Sequence, residues 1–360
     1  MTIPIKTDCL WFRGDIPCAP HKKKGYHCET CPEYKQAKER ILIVKLGAMG
    51  DVVRTTPLLR RLRVEFPNAC IYWLTYSPET LSRDWVTRPL QVTPENLELI
   101  KHIEFDWALI LDKDPLAISL AVSVNAKKKS GFTIDKYGHA KPMGTQAETD
   151  KWQTGLFDDL NKANTKSYME EIFEIAGYEF NGEEYIIEPP VSDIQFDVAT
   201  NKKVVGLNTG CGGRWSSRLW PVEHWTALIN LLLKANYEVV LLGGQQEDEK
   251  NKSLAMATGA KYYGHFPIPD FMVLMSKCDL VVTAVTMGMH LALGLGKKLI
   301  LFNNIFNPHE FFLYNRGEIL EPDFDCDCYF SPTCPNDCMQ YLYPEKVFES
   351  VKRWLPQDTQ

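Results

Sequence analysis

The sequence predicts an α/β protein with two doubly wound, Rossmann-like parallel-sheet domains, and three observations lead there. The 360 residues exceed one ordinary core, short apolar strands alternate with helical stretches in two separate blocks, and several strands run straight into glycine-containing loops. A composition of 45% hydrophobic and 24% charged residues can bury two interiors without staples. No run approaches the roughly 18 apolar residues that a membrane span needs. The start, MTIPIKTDCLWFRGD, carries an acidic residue and breaks its apolar run early, so it does not read as a secretory leader and a cytoplasmic address is expected. A net charge of -6 argues against a general nucleic-acid binder, and the basic runs His21 to Lys24 and Lys127 to Lys129 read as solvated faces.

Taken in order, residues 1–40 are a cysteine-rich extension and residues 41–195 the first domain. Its β-branched run Ile41 to Leu46 predicts a buried strand, Val52 to Phe66 a helix, Cys70 to Thr75 and Trp107 to Leu111 further strands. Lys127 to Thr165 is polar and poorly periodic, which predicts a long surface loop or lid. The linker falls at Glu188 to Asn201, headed by Pro189-Pro190. In the second domain, residues 196–340, strands are predicted at Val204 to Asn208, Glu238 to Leu242, Leu280 to Thr283 and Lys298 to Phe302. Helices are predicted at Val222 to Lys234, Gln246 to Thr258, Asp270 to Lys277 and Met287 to Leu295. Ligands of such sheets bind outside the carboxyl ends of the strands.

Three loops at those ends carry chemistry. Gly47-Ala48-Met49-Gly50-Asp51 joins a strand to a helix but lacks both the three-glycine dinucleotide fingerprint and the Lys-Ser/Thr of a phosphate loop. Asp51 has two readings: a helix cap contributing roughly 0.5–2 kcal/mol, or a general base kept ionised by the helix dipole. The second loop, Asn208 to Pro221, combines Gly212 and Gly213 with Arg214 and Arg218, residue types that bring amides and a guanidinium to phosphate oxygens. In the third, Thr283 to His290, Thr286, Gly288 and first-turn amides suit another part of the same anion, with His290 open to a structural reading.

Together ILIVKLGAMGDVVRTTPLL, NTGCGGRWSSRLWP, LLGGQQEDE and VVTAVTMGMHLALGL resemble, in order and spacing, the bacterial heptosyltransferases of lipopolysaccharide synthesis and their relatives in glycosyltransferase family 9. The resemblance spans about Arg40 to Leu355. It implies the GT-B fold, with its two domains facing across a cleft, and a C-terminal helix, 341–360, returning to the N-terminal domain. It further implies inverting transfer without a catalytic metal, from a nucleotide-diphosphate sugar such as ADP-heptose to a glycan, lipid-linked or protein acceptor, peripheral to the inner membrane. By that resemblance Asp51 is the catalytic base, and Gly47, Met49, Gly50 and Arg54 meet the acceptor. Thr209, Gly212, Gly213, Arg214, Arg218, Glu247 or Glu249, Phe266, Thr286, Met287, Gly288 and His290 meet the donor. The chain departs from the family pattern at Val285, where an Asp is usual, and at Met287, where a Gly is usual.

Eleven cysteines are many for a cytosolic chain, where thiols stay reduced, so metal binding outranks disulfides. Cys9, Cys18, Cys28 and Cys31 predict a structural zinc near the N-terminus. Cys326, Cys328, Cys334 and Cys338 leave a metal knuckle, an iron site and a redox pair open. Two other function classes stay in view: a catalytically silent sugar-nucleotide-binding module, and a nicotinamide-dependent oxidoreductase using the cysteines for electron transfer. Oligomeric state is left open by the sequence.

Overall fold

Ile41, Leu42, Ile43 and Val44 are all within 1% of complete burial, as a central parallel strand covered on both faces must be. The computed structural model describes residues 3–188 and 192–357, and the chain divides into two compact units. The first comprises the chain up to Phe157 together with Met169–Glu188; the second comprises Asp158–Tyr168 and the chain after Glu188.

The first unit runs α1 (Ala19–Lys24), β1 (Arg40–Val44), α2 (Met49–Thr55), α3 (Leu58–Glu65), β2 (Cys70–Thr75), β3 (Arg88–Gln91), α4 (Pro94–Lys101), β4 (Glu104–Ile110) and α5 (Pro115–Ser123). It continues through β5 (Asn125–Ile134), β6 (Ala140–Pro142) and α6 (Gln146–Gln153); after α7 (Asp158–Ala163) in the other unit, it takes up α8 (Tyr168–Ala176). Its sheet has the order β3-β2-β1-β4-β5-β6, parallel except for the β5–β6 pair. Strand order reverses between β1 and β4, which marks their carboxyl ends as the ligand end.

Two expectations are corrected here. The helix predicted over Val52 to Phe66 is two helices, because Pro57 has no N–H to carry the ladder past Thr56. The loop predicted over Lys127 to Thr165 is structured: β5, β6, α6 and α7 occupy most of it. Its lysines hid the strand, since each lies along apolar or paired surface. Lys127 pairs with Asp106 at 2.8 Å, Lys128 lies 3.7 Å from the centre of the Trp107 ring, and Lys129 donates to the Ala121 carbonyl at 2.8 Å.

The second unit contains β7 (Val204–Asn208), α9 (Val222–Lys234), β8 (Glu238–Leu242), α10 (Asp248–Thr258), α11 (Ile268–Ser276), β9 (Leu280–Ala284), α12 (Met287–Gly294), β10 (Lys298–Phe302), β11 (Gly317–Leu320) and α13 (Pro344–Trp354). The all-parallel order β11-β10-β9-β7-β8 reverses between β7 and β9. Pro189 and Pro190, the expected head of the linker, lie outside the described residues, and residues 192–201 carry neither helix nor strand.

The last helix packs within the second unit. Val347, Val351 and Leu355 enter the core of the second unit beside Leu228, Leu232 and Tyr237, and the Tyr237 hydroxyl donates to the Leu355 carbonyl at 2.7 Å. Its apolar stripe is complementary to α9, and burial decides the docking partner. Residues 158–168 also belong to the second unit, inside the span assigned to the first. Asn307 Nδ2 donates to the carbonyls of Asn161 and Asn164, each at 2.6 Å, and the Tyr329 hydroxyl donates to the Asn161 side chain. No residue of α7 is buried, so no apolar signal could announce this excursion.

Candidate functional site

At the switch point of the second sheet, Asn208 ends β7 and reaches across to the loop after β9. Its Nδ2 donates to Thr283 Oγ1 at 2.8 Å and to Thr286 Oγ1 at 3.3 Å. Thr286 is the N-cap of α12, its hydroxyl accepting from Gly288 N–H at 3.1 Å. Gly288 must lack a side chain: a Cβ there would stand 2.8 Å from Asn208 Nδ2. The helix N-terminus after β9 begins Met287-Gly288, with Gly288 leaving the second position without a side chain, and it carries the positive end of the peptide dipoles. His290 lies within α12 at 6% exposure, and Met287 is half-buried.

The loop after β7 is fixed from beneath. Thr209 Oγ1 donates to Asn251 Oδ1 at 2.6 Å, and Lys250 donates to the Thr209 carbonyl at 2.8 Å. Glu247 turns back, accepting from Gly244 N–H at 2.9 Å, and packs so closely on Gly210 that a Cβ there would fall 2.1 Å from its Oε1. Glu249 is not part of this group; its side chain is 88% exposed and pairs with Lys252. Helical phase separates the two, since positions two apart on a helix face different directions. Phe266 is half-buried, edge-on to Phe196 with centroids 5.2 Å apart.

Arg218 and Arg214 differ. Arg218 is 8% exposed and its guanidinium joins the two loops, donating from Nη2 to the Cys211 carbonyl at 2.9 Å and from Nη1 to the Val285 carbonyl. Trp215 and Phe306 flank it at 5.6 Å each, and Nε is buried without a hydrogen-bond partner. Burial pulls its pKa below the ordinary value, opposed by the neighbouring Cys211 thiol, and a guanidinium stays charged there. Arg214, beside Gly212 (φ +73°) and Gly213, is exposed. The loop thus has one buried, fixed charge and one exposed charge, the latter 5.3 Å from the centre of the Trp215 ring.

That turn leans on the C-terminal cysteines. Ser217 N–H donates to the Pro332 carbonyl at 3.0 Å, Ser217 Oγ to the Ser331 carbonyl at 2.7 Å, and Asn304 Nδ2 to both the Ser217 carbonyl (2.8 Å) and Cys338 Sγ (3.2 Å). Cys326 Sγ lies 3.1 Å from Cys328 Sγ and 3.4 Å from Cys334 Sγ, and Cys328 Sγ lies 3.7 Å from Cys338 Sγ. Among the described residues these four are the one group of three or more His, Cys, Asp or Glu ligand atoms all within 4.8 Å of one another. Such spacing fits one tetrahedral ion with four thiolates. Cys9, Cys18, Cys28 and Cys31 are not gathered in that way; they line one small cavity instead.

In the first unit Asp51 is the third residue of α2. Its Oδ2 accepts from Ala48 N–H at 3.1 Å and its Oδ1 pairs with Arg54 Nη2 at 2.8 Å, while the side chain stays 31% exposed. Gly47 and Met49 flank it on the same loop, and Gly50 is buried in the first turn. Sequence reasoning missed the ion pair below this loop. Lys45 pairs with Asp112, which also accepts from Leu46 N–H at 2.5 Å, at the carboxyl ends of β1 and β4. Next to it, burial and then repulsion from Lys151 push the Lys113 pKa down to about 8. The signal was present as charged residues ending apolar strands. Asn208, Lys250, Asn251 and Phe306 were likewise passed over, because nothing local marks a side chain that works across the sheet.

A sequence model described as glycosyltransferase family 9 (heptosyltransferase) matches residues 117–334. Lipopolysaccharide heptosyltransferase 2 of Salmonella typhimurium LT2 is 19% identical over 300 residues, 75% of this chain and 84% of that protein. Its counterpart in Escherichia coli K12 is 23% identical over 121 residues, 32% of this chain and 34% of that one. Among solved structures, a family 9 glycosyltransferase from Veillonella parvula DSM 2008 superposes with a TM-score of 0.66 at 15% identity, covering 89% of this chain and 97% of that one. The dodecameric iron-containing heptosyltransferase TibC, solved in complex with ADP-D-beta-D-heptose, gives 0.54 at 11% identity over 89% and 79%. These likenesses bear out the twin parallel-sheet α/β fold.

Proposed function

Since the chain belongs to glycosyltransferase family 9 and is a heptosyltransferase-like glycosyltransferase, we propose that it transfers a heptose from ADP-heptose to a hydroxyl of a cell-envelope glycan, lipid-linked or protein acceptor. The reading includes inversion, no catalytic metal, and work in the cytoplasm peripheral to the inner membrane. Among the described residues no helix is long and apolar enough to cross a membrane.

The observation that carries the donor side is Arg218, which ties the loops after β7 and β9 together at the switch point. Arg214, the Gly212-Gly213 amides and the N-terminus of α12 then meet the diphosphate, with Thr209, Glu247, Phe266, Thr286, Met287, Gly288 and His290 around the rest of the donor. Asp51 takes the acceptor proton as the acceptor oxygen bonds to the anomeric carbon and the bond to the diphosphate breaks. The departing charge is met by the arginines and helix dipole, and attack opposite the leaving group inverts the centre. Gly47, Met49, Gly50 and Arg54 shape the acceptor side. Cys326, Cys328, Cys334 and Cys338 would hold a single zinc or iron ion, which supplies a structural cross-link. TibC, described as iron-containing, supports the iron alternative.

A catalytically silent reading has one observation in its favour: Asp51 already engages Ala48 and Arg54, as a cap would. Thermal stabilisation by ADP, UDP and GDP, followed by release of ADP from ADP-heptose with an envelope acceptor, tests the proposal. Stabilisation by ADP together with acceptor-dependent ADP release is expected. Stabilisation by UDP or GDP in place of ADP overturns the donor, and ADP binding without any transfer favours the silent module.

A further inference from the structure

The N-terminal extension has too little core to hold itself. Among the described residues before β1, only Leu10 and Pro20 are buried. An antiparallel bridge between Cys9 and Gln36 closes the segment, and Arg88 fastens it to the sheet edge through the carbonyls of Leu10 (3.2 Å) and Phe12 (2.5 Å). The other ties are polar or ring contacts, such as Tyr34 to Asp8, Trp11 to the Glu33 carbonyl and Lys24 to Glu33, and a stretch so poor in apolar burial needs a staple. Cys9, Cys18 and Cys31 each head a turn, their carbonyls accepting from the N–H groups of Phe12, Lys22 and Tyr34. No disulfide joins them; Cys9, Cys18, Cys28 and Cys31 are all free thiols and half-buried.

All four cysteines line one cavity of about 30 Å³, walled by Trp11, Phe12, Pro20, Tyr26 and Tyr34. That is two to three times the roughly 10–15 Å³ that one water occupies. The contrast with the other cysteine group decides what fits. A single ion with metal–sulfur bonds of about 2.3 Å draws four sulfurs together, as at Cys326 to Cys338. The N-terminal four stand around a void instead. A space lined by four cysteines, aromatic rings, a proline and one lysine suits a group that carries its own bulk between the thiolates. Lys6 lines the same cavity with its ammonium 4.2 Å from the centre of the Tyr34 ring, and α1 ends in His21, Lys22, Lys23 and Lys24. The Lys6 charge at the cavity wall offsets an anionic occupant.

We propose that Cys9, Cys18, Cys28 and Cys31 ligate a polynuclear iron–sulfur cluster rather than the single zinc ion expected from the sequence. Four cysteine thiolates are the ligand set of both two-iron and four-iron clusters. Binding releases the thiol protons and folds the extension around the cluster. The inference is independent of the transferase reading, because it concerns a different part of the chain and its test reads no transfer.

The full chain, purified under anaerobic conditions, is reconstituted with ferrous iron, inorganic sulfide and a thiol reductant, then freed of unbound reagents. Bound iron, acid-labile sulfide and visible absorption are measured. Sulfide at about two or more per chain, with broad charge-transfer absorption, is expected for the wild type. Both are expected to vanish in Cys28→Ser/Cys31→Ser and to persist in Cys334→Ser/Cys338→Ser. Wild-type protein that retains metal but no sulfide, or neither, overturns the proposal whether or not the variants fold. Absorption lost only with Cys334 and Cys338 overturns it as well.

Discussion

Ser217 donates its hydroxyl to the carbonyl of Ser331 at 2.7 Å, joining the turn that carries Arg218 to the loop between Cys328 and Cys334. The four-thiol group is therefore in mechanical contact with the loop after β7. Ser217→Ala removes one hydrogen bond, a loss of about 1 kcal/mol, and is expected to weaken ADP binding by roughly fivefold while metal content is unchanged. On the reading that Cys326, Cys328, Cys334 and Cys338 hold a metal ion, its removal with a chelator is expected to weaken ADP binding at least as much. Calorimetric titration reads both, and wild-type ADP affinity in either preparation would break the link.

Asp51→Asn keeps the shape and the capping oxygen but cannot accept a proton. Its melting temperature is expected to stay within a few degrees of wild type while turnover falls by roughly a hundredfold or more. Circular dichroism on heating and ADP release measure the two separately. Wild-type turnover in this variant would return Asp51 to a helix cap.

Gly288→Ala places a methyl group 2.8 Å from Asn208 Nδ2. Either Asn208 abandons Thr283 and Thr286 or α12 shifts, and the expected cost is about 1–3 kcal/mol of stability with loss of nucleotide binding. Denaturant unfolding measures the first and thermal stabilisation by ADP the second.

Lys113 gives a pH dependence. Its folded pKa, pushed down to about 8 by burial first and Lys151 second, lies below the ordinary 10.5. Between those values the unfolded chain holds the proton and the folded chain does not, so stability from this group rises with pH over that window. Below pH 8 both states are protonated and the group is a constant cost. Lys113→Met is expected to raise stability at pH 7 by up to about 3 kcal/mol and to flatten the rise between pH 8 and 10.5. Denaturant midpoints across pH check it, and an unchanged slope would place the effect elsewhere.

Much of the fold was legible in particular stretches. Val204–Asn208, Glu238–Leu242 and Lys298–Phe302 are predicted at their observed bounds because fully buried parallel strands leave short apolar runs bounded by turns. The strand–glycine–helix loops at Asp51, Gly212 and Thr286 are local too, so residue order alone reveals them. Strand β5 was illegible because its half rich in lysine is largely exposed and held by Asp106, the Trp107 ring and the Ala121 carbonyl rather than by apolar burial, and α7 because it buries nothing of its own.

What the sequence by itself determined, then, is periodicity, caps and the three loops, all properties of neighbours along the chain. Tertiary structure decided partners. Strand order put Val285 beside Arg218, 67 positions away, so that the guanidinium binds the backbone of the loop after β9. Helical phase chose Glu247 over Glu249, and the apolar stripe of α13 found α9 in its own unit. The two cysteine groups look alike on paper, yet one converges to ion-sized spacing and the other surrounds a cavity, because backbone path rather than spacing in sequence sets where four sulfurs end.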